Sequence, residues 1–217
     1  MQTPLTRRGF VGGVGALVTL GARNVQAQSG TLDTLLSQRR MVRRFRLDPI
    51  TDDVVRRLLH AATRAPSAGH TQPWAFIVVR DPQRRAQLGR AAHGQSWLAD
   101  APVVIVACAD LARSRQRYGD RGERYGIIDT AFASLLLLLA VAEEHLGACF
   151  VGAFRDSEVK QLLAIPATVM PIALIPIGYP AERPSPSRRR PLADMIYDER
   201  WGMHRSPSSP TDATPTG

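Results

Sequence analysis

Three short stretches of the sequence carry groups able to do chemistry. The first is Arg39-Arg40-Met41-Val42-Arg43-Arg44-Phe45. Guanidinium groups are planar, permanently charged and matched to phosphate oxygens. Arg39 and Arg43 are four residues apart, so on a helix they point the same way and make a small cationic face. Taken alone, a solvated basic helix end is the plainer reading. The second stretch is Pro66-Ser67-Ala68-Gly69-His70-Thr71-Gln72-Pro73-Trp74. Its small residues let the backbone approach a ligand closely; an ordinary helix-ending loop is the alternative. The third is GACFVGAF, residues 147–154, where Gly152 and Ala153 follow an apolar run and can offer backbone N–H groups to a flat ligand. A tight strand-to-helix turn fits them equally well.

These stretches need elements to position them. TLDTLLSQR reads as a short helix ahead of the first stretch. TDDVVRRLLHAATRA reads as a helix capped by Thr51, with Asp52 and Asp53 in its first turn and Val54, Val55, Leu58, Leu59 and Ala62 on one face. AFIVVR, VVIVACAD, ACFVGAF and PIALIPIGY read as four strands, PQRRAQLGRAAH and DSEVKQLLAI as helices. From Gly126 to Gly147 the pattern is one long helix whose apolar surface wraps all the way round near its middle. Its apolar run, Ala131 to Ala142, is too short to span a bilayer and is flanked by Asp129, Glu143 and Glu144. A core or subunit-interface helix is the better reading, with no stable membrane span. Irregular connections argue for an α+β or three-layer domain, not a regular doubly wound sheet. No Gly-x-Gly-x-x-Gly follows the first strand, and neither a Gly-x-Ser-x-Gly nor a Walker motif occurs.

The formal net charge is +9, and Lys160 is the one lysine. The arginines are scattered and not interleaved with aromatics, which argues against a nucleic-acid partner. Cys108 and Cys149 sit in apolar contexts and read as small buried hydrophobes; no zinc-type Cys/His spacing is present. Residues 1–27 read as a removable twin-arginine targeting segment: Thr6-Arg7-Arg8-Gly9-Phe10, a weakly apolar core from Val11 to Leu20, then Val25-Gln26-Ala27. That implies export of a folded protein to the periplasm or beyond. Residues 28–204 read as one domain and 205–217 as a disordered tail.

Taken in order, the three stretches resemble the FMN-dependent nitroreductase family from about Leu32 to Gly202. The family's opening pattern, Arg-Arg-Ser-x-Arg-x-Phe, is similar to residues 39–45. Its loop, Pro-Ser-x-x-Asn-x-Gln-Pro-Trp, is similar to residues 66–74. HLGACFVGAF and the terminal RRRPLADMIYDERWG match in position. The resemblance implies an α+β three-layer fold with a mostly antiparallel central sheet, a long buried helix and an interlocked homodimer carrying two FMN molecules at its interface. It implies that Arg39, with Arg40 and Met41 beside it, holds the FMN phosphate, and that Arg43 lies near the ring's pyrimidine edge. Pro66, Ser67, Ala68 and His70 would contact FMN from the partner subunit, and Gly152 and Ala153 would offer backbone donors. Arg189 or Arg190 would complete the phosphate site, with Arg188 as a register alternative.

The implied reaction is two-step: a donor reduces the flavin and leaves, and a nitroaromatic, quinone or activated alkene then takes the electrons. NAD(P)H is the family's usual donor, and a membrane redox donor is the alternative for an exported member. No catalytic side chain and no metal is implied. Tyr118, Tyr125 and Trp97 fall where family members line the substrate pocket. Two residues depart from the pattern: Met41 stands for serine and His70 for asparagine.

Overall fold

The computed structural model describes residues 31–203. The expected targeting segment and tail lie outside the described residues. Along the chain run α1 (Thr31–Gln38), α2 (Asp52–Ala62), β1 (Trp74–Val79), α3 (Pro82–Ala91), β2 (Val103–Asp110), α4 (Leu111–Tyr118), α5 (Arg121–Glu143), β3 (Gly147–Ala148), α6 (Asp156–Leu163) and β4 (Val169–Gly178). Short 3-10 turns cover Ala68–His70, Ser96–Ala99 and Leu192–Met195. The strands form one sheet in the order β1-β2-β4-β3, with every neighbouring pair antiparallel.

Strand alternation explains the layers. Val103, Ile105 and Ala107 of β2 face one way and join α2, α5 and β4 residues Ala173, Ile175 and Ile177 in one core cluster. Val104, Val106 and Cys108 face the other way, toward α3 and Val159 of α6. With both faces covered, β2 is an unbroken apolar run. The result is the expected α+β, three-layer arrangement with a central antiparallel sheet.

Local chemistry sets the helix boundaries. Thr51 Oγ1 accepts from Val54 N at 3.4 Å at the start of α2, and Asp81 Oδ1 from Arg84 N at 2.7 Å at the start of α3. Residues 111–118, without a sequence-based assignment, form α4: Asp110 Oδ1 accepts from Arg113 N at 3.2 Å. This helix is arginine-rich and buries little beyond Leu111 and Ser114, so apolar periodicity gave it no signature.

The long helix α5 begins at Arg121, ahead of the expected Gly126, and runs 23 residues. Its length and composition alone would allow a membrane crossing. In the fold it packs on α2, α4 and β2, and it buries Asp129, Thr130 and Ser134. Ser134 Oγ donates back to Thr130 O at 2.8 Å, satisfying its hydroxyl within the helix. Ile128, Phe132 and Leu135 of the same helix remain exposed.

The expected third strand is shorter than its sequence pattern. β3 is only Gly147–Ala148, yet Val151 bridges Leu174 in the same register. Pro176 interrupts the ladder between them. Its carbonyl accepts from Cys149 N at 3.4 Å, but proline has no N–H to return.

Candidate functional site

Residues 39–45 are extended, correcting the helical reading. Met41 bridges Ala148 in parallel and Phe45 bridges Pro180. Val42 N donates to Ala148 O at 2.9 Å and Arg46 N to Tyr179 O at 2.8 Å. Glu182 Oε1 takes the N–H groups of Arg43, at 2.7 Å, and Arg44, at 3.2 Å. Two glycines permit this close fit. A Cβ on Gly147 would lie 2.8 Å from Val42 Cβ, and one on Gly178 would lie 3.0 Å from Phe45 Cδ1.

The basic residues of this segment separate. Arg39 and Arg40 line a cavity of about 540 Å³ between the segment, the end of α5 and residues 180–184; His145, Glu182 and Arg183 also line it. Arg39 Nη1 is buried there with no partner among the described residues. A buried guanidinium nitrogen without an acceptor is costly, and a bound oxyanion would satisfy it. Arg40 Nη1 instead donates to the Ser37 and Arg39 carbonyls. Arg43 is exposed and sits 5.9 Å from the centre of the Trp97 ring. Its charge also reaches Cys149, whose thiol is pushed up by burial and drawn partly back by Arg43. Cys108 is pushed up to about 11 by burial, so neither buried thiol is a ready nucleophile.

Met41 is half-buried between the two large core clusters. Its sulfur lies 3.4 Å from Phe150 N, which donates to it. The methionine that replaces serine is therefore a packing link to residues 149–151. Beyond that link, Gly152 and Ala153 are exposed, and neither N–H has an acceptor among the described residues. A Cβ on Gly152 would meet only Phe150 Cε1, at 3.5 Å, so this turn has an open side. Gln95 Nε2 reaches Ala153 O at 3.4 Å.

The loop at residues 66–72 is built differently. Asp129, 3% exposed on α5, accepts from Ala68 N at 3.0 Å through Oδ2. Burial raises this carboxyl above its ordinary range, and the Ala68 hydrogen bond lowers it only in part. Ser67 Oγ accepts from Gln72 N at 3.1 Å. Gly69, His70 and Gln72 all have positive φ, at 52°, 58° and 47°. Gln72 Nε2 lies 2.6 Å from His70 Nε2, so the residue in the place of asparagine is bonded inside its own loop. Pro66 is exposed at the loop's start.

One chain brings residues 39–43 together with 148–153 but does not join either to residues 66–70. The loop is fixed at Asp129, and the cavity is lined by Leu138 and Val141 farther along α5. At a rise of about 1.5 Å per residue, these levels are roughly 13–18 Å apart. The aromatics divide likewise: Trp97 sits by Arg43, whereas Tyr118 and Tyr125 pack edge-to-face at 4.9 Å near Gly69. Arg188, Arg189 and Arg190 are exposed, and Arg190 Nη2 donates to Asp194 O at 3.1 Å. No hydrogen bond or ion pair joins them to Arg39 among the described residues. Asp129, Glu182 and α4 escaped the sequence reading; a lone acidic residue inside an apolar helix was the available signal for Asp129.

Known proteins share this fold. The Nitroreductase family model matches residues 36–97 and 90–179. A Thermus thermophilus protein described as NADH dehydrogenase is 35% identical over 191 residues, covering 75% of this chain and 93% of its own length. A Bacillus subtilis FMN reductase [NAD(P)H] is 27% identical, covering 76% of this chain and 72% of its own length. A solved structure from Parabacteroides distasonis superposes with a TM-score of 0.71 at 26% identity, covering 79% of this chain and 99% of that one. Matched in sequence across most of its described length and in the packing of its sheet and long helix, the chain belongs to the nitroreductase family.

Proposed function

We propose that the protein is an NAD(P)H-dependent flavin oxidoreductase that holds FMN and passes electrons to nitroaromatic, quinone or activated-alkene acceptors. The observation that carries the reading is the buried, unpartnered Arg39 Nη1 in its cationic cavity. Names of relatives support it: the Thermus protein is an NADH dehydrogenase and the Bacillus protein an FMN reductase using NAD(P)H.

Bound FMN supplies two-electron, hydride-accepting chemistry that no amino-acid side chain provides. In this reading Arg39 and Arg40 neutralise its phosphate, with Arg189 or Arg190 closing that site. Arg43 places a fixed positive charge where added negative charge is stabilised. Gly152 and Ala153 donate through their free N–H groups. Pro66, Ser67, Ala68 and His70 complete the pocket from a second subunit. The α5 residues Ile128, Phe132 and Leu135 recur at helical spacing on one exposed apolar face, which supports a homodimer that buries them. The twin-arginine segment supports export of the folded, loaded dimer, and fractionation of the source cell tests that part.

The deciding experiment is the visible spectrum of the purified domain, with the released chromophore identified after denaturation. Yellow protein releasing FMN, bleached by NADH or NADPH in stopped flow, is the expected result. Colourless protein that cannot be reconstituted rejects the reading. Met41 favours one alternative, an FMN-binding member with divergent or lost catalysis, because its sulfur packs inward where the family pattern has a hydroxyl. Flavin that binds but does not bleach with either nucleotide would select that alternative.

A further inference from the structure

The Gly152–Ala153 turn is fastened on both sides, and only one fastening belongs to the sheet. On the N-terminal side Val151 exchanges two backbone bonds with Leu174 of β4, at 3.0 and 2.9 Å. On the C-terminal side the support is the end of α3, whose last carbonyls have no donor within the helix. Arg155 N donates to Ala91 O at 2.9 Å, and Arg155 Nη2 donates to Arg90 O at 2.8 Å. Phe154, between the two supports, packs against the core cluster that α3 and α6 share. Gly152 and Ala153 are the two residues left projecting, and both are exposed.

The Arg155 guanidinium is itself held as a fork. Its Nε donates to Glu158 Oε1, and its Nη2 donates to Glu158 Oε2 at 2.9 Å as well as to Arg90 O. Both side chains of this pair are nearly half exposed, so the pair adds little stability as such. Its effect is geometric: Glu158 aims Nη2 at the Arg90 carbonyl. The segment after α3 adds two contacts. Gln95 Nε2, bonded to Ala92 O at 3.0 Å, reaches Ala153 O at 3.4 Å. Two positions on, the Trp97 ring lies under Arg43. Residues 90–97 therefore touch both the turn and the guanidinium that the proposed function places beside the same ligand. None of these contacts takes up the N–H of Gly152 or Ala153. A turn tied down at a carbonyl and at its following residue, with two N–H groups left over, is a preorganised pair of donors.

We propose that Arg155 is a positioning residue: by bridging the Arg90 carbonyl and Glu158 it fixes the turn so that the N–H groups of Gly152 and Ala153 stay aimed outward at a bound ligand. The inference rests on the flavin reading for the identity of that ligand and not for the geometry. The test uses the full chain stripped of any bound cofactor. Backbone amide relaxation reads the order of the turn, and a titration with FMN is then followed at the Gly152 and Ala153 amide signals. Arg155→Ala should lower the order at both positions while leaving the thermal midpoint nearly unchanged. It should also weaken FMN binding about tenfold and shrink the shifts of the two amide signals. Arg155→Lys keeps the charge but not the fork, so it should recover little of either. Should Arg155→Ala fail to fold, Gln95→Ala removes the fastening at Ala153 O and should loosen the turn in the same sense. A turn as ordered in the variants as in the parent overturns the proposal. So does a loosened turn with FMN affinity and amide shifts unchanged, or full recovery by Arg155→Lys, which would make charge the cause. If the parent binds no FMN while Arg155→Ala loosens the turn, the flavin reading falls and the positioning of the turn stands.

Discussion

Residues 39–45 and residues 66–72 are held in opposite ways. The first segment is fixed through its backbone, by bridges to Ala148 and Pro180 and by Glu182 taking two of its N–H groups. Its side chains divide: Val42 and Phe45 are buried, Met41 is half-buried, and the other four of its seven residues are arginines. The second is fixed by side chains: one buried carboxylate, one hydroxyl, and a run of positive-φ residues. Backbone pairing tolerates substitution of the paired residue but not an intruding side chain. Side-chain anchoring fails when the single anchor is removed.

The strongest way to break the first segment is therefore to fill the gap it crosses. Gly147→Val places branched carbon against Val42, where even a lone Cβ would be 2.8 Å away. A loss of about 3 kcal/mol is expected in urea unfolding, together with loss of the flavin proposed for the Arg39 cavity. The second segment should break next, by losing its anchor. Asp129→Ala leaves the part-buried Ala68 N–H without its acceptor and should cost about 2 kcal/mol, with faster amide exchange at Ala68 as the local readout.

Asp129→Asn keeps an acceptor and sharpens the comparison through pH. Asp129 has its folded value raised above the ordinary 3.8, so the folded chain holds this proton more tightly than the unfolded chain. Stability from this group is greatest below 3.8 and falls as pH rises through the raised value. Asp129→Asn should remove that slope in a series of unfolding midpoints.

Gly69→Ala should cost about 1 kcal/mol, since φ is +52° and the atoms in the way belong to movable ends of Arg117 and Tyr118. The smallest effect belongs to the exposed pair of Arg57 with Glu144, joined at 2.8 Å between α2 and the end of α5. Arg57 holds Glu144 below the ordinary carboxylate range, so the pair's contribution is present at neutral pH and lost on acidification. Glu144→Gln should leave the thermal midpoint at neutral pH nearly unchanged.

The sheet, the capped helices and the buried long helix were legible because apolar period and capping residues report them directly. The helical expectation for residues 39–45 failed because what holds them extended is pairing with Ala148 and Pro180, more than a hundred positions away, which local spacing does not report. Helix α4 was missed because its exposed arginines carry no apolar period. The strand break at Pro176 was visible in the composition of β4, but which neighbour loses the hydrogen bond depends on register. The role of Met41 was unreadable for a similar reason. Its partner, Phe150 N, is 109 positions away in the chain.

That missing bond at Pro176 has a mechanical consequence. Val151 is clamped to Leu174 by two bonds of 3.0 and 2.9 Å, and Ala148 by the end of β3. Between these clamps Cys149 N keeps one long bond to the Pro176 carbonyl, and Phe150 N keeps one contact to a sulfur. The stretch behaves as a short compliant spring between two rigid mounts. Gly152 and Ala153 lie beyond the Val151 mount, so a ligand pressing on them would load the paired bonds to Leu174 first and reach the spring only through that mount.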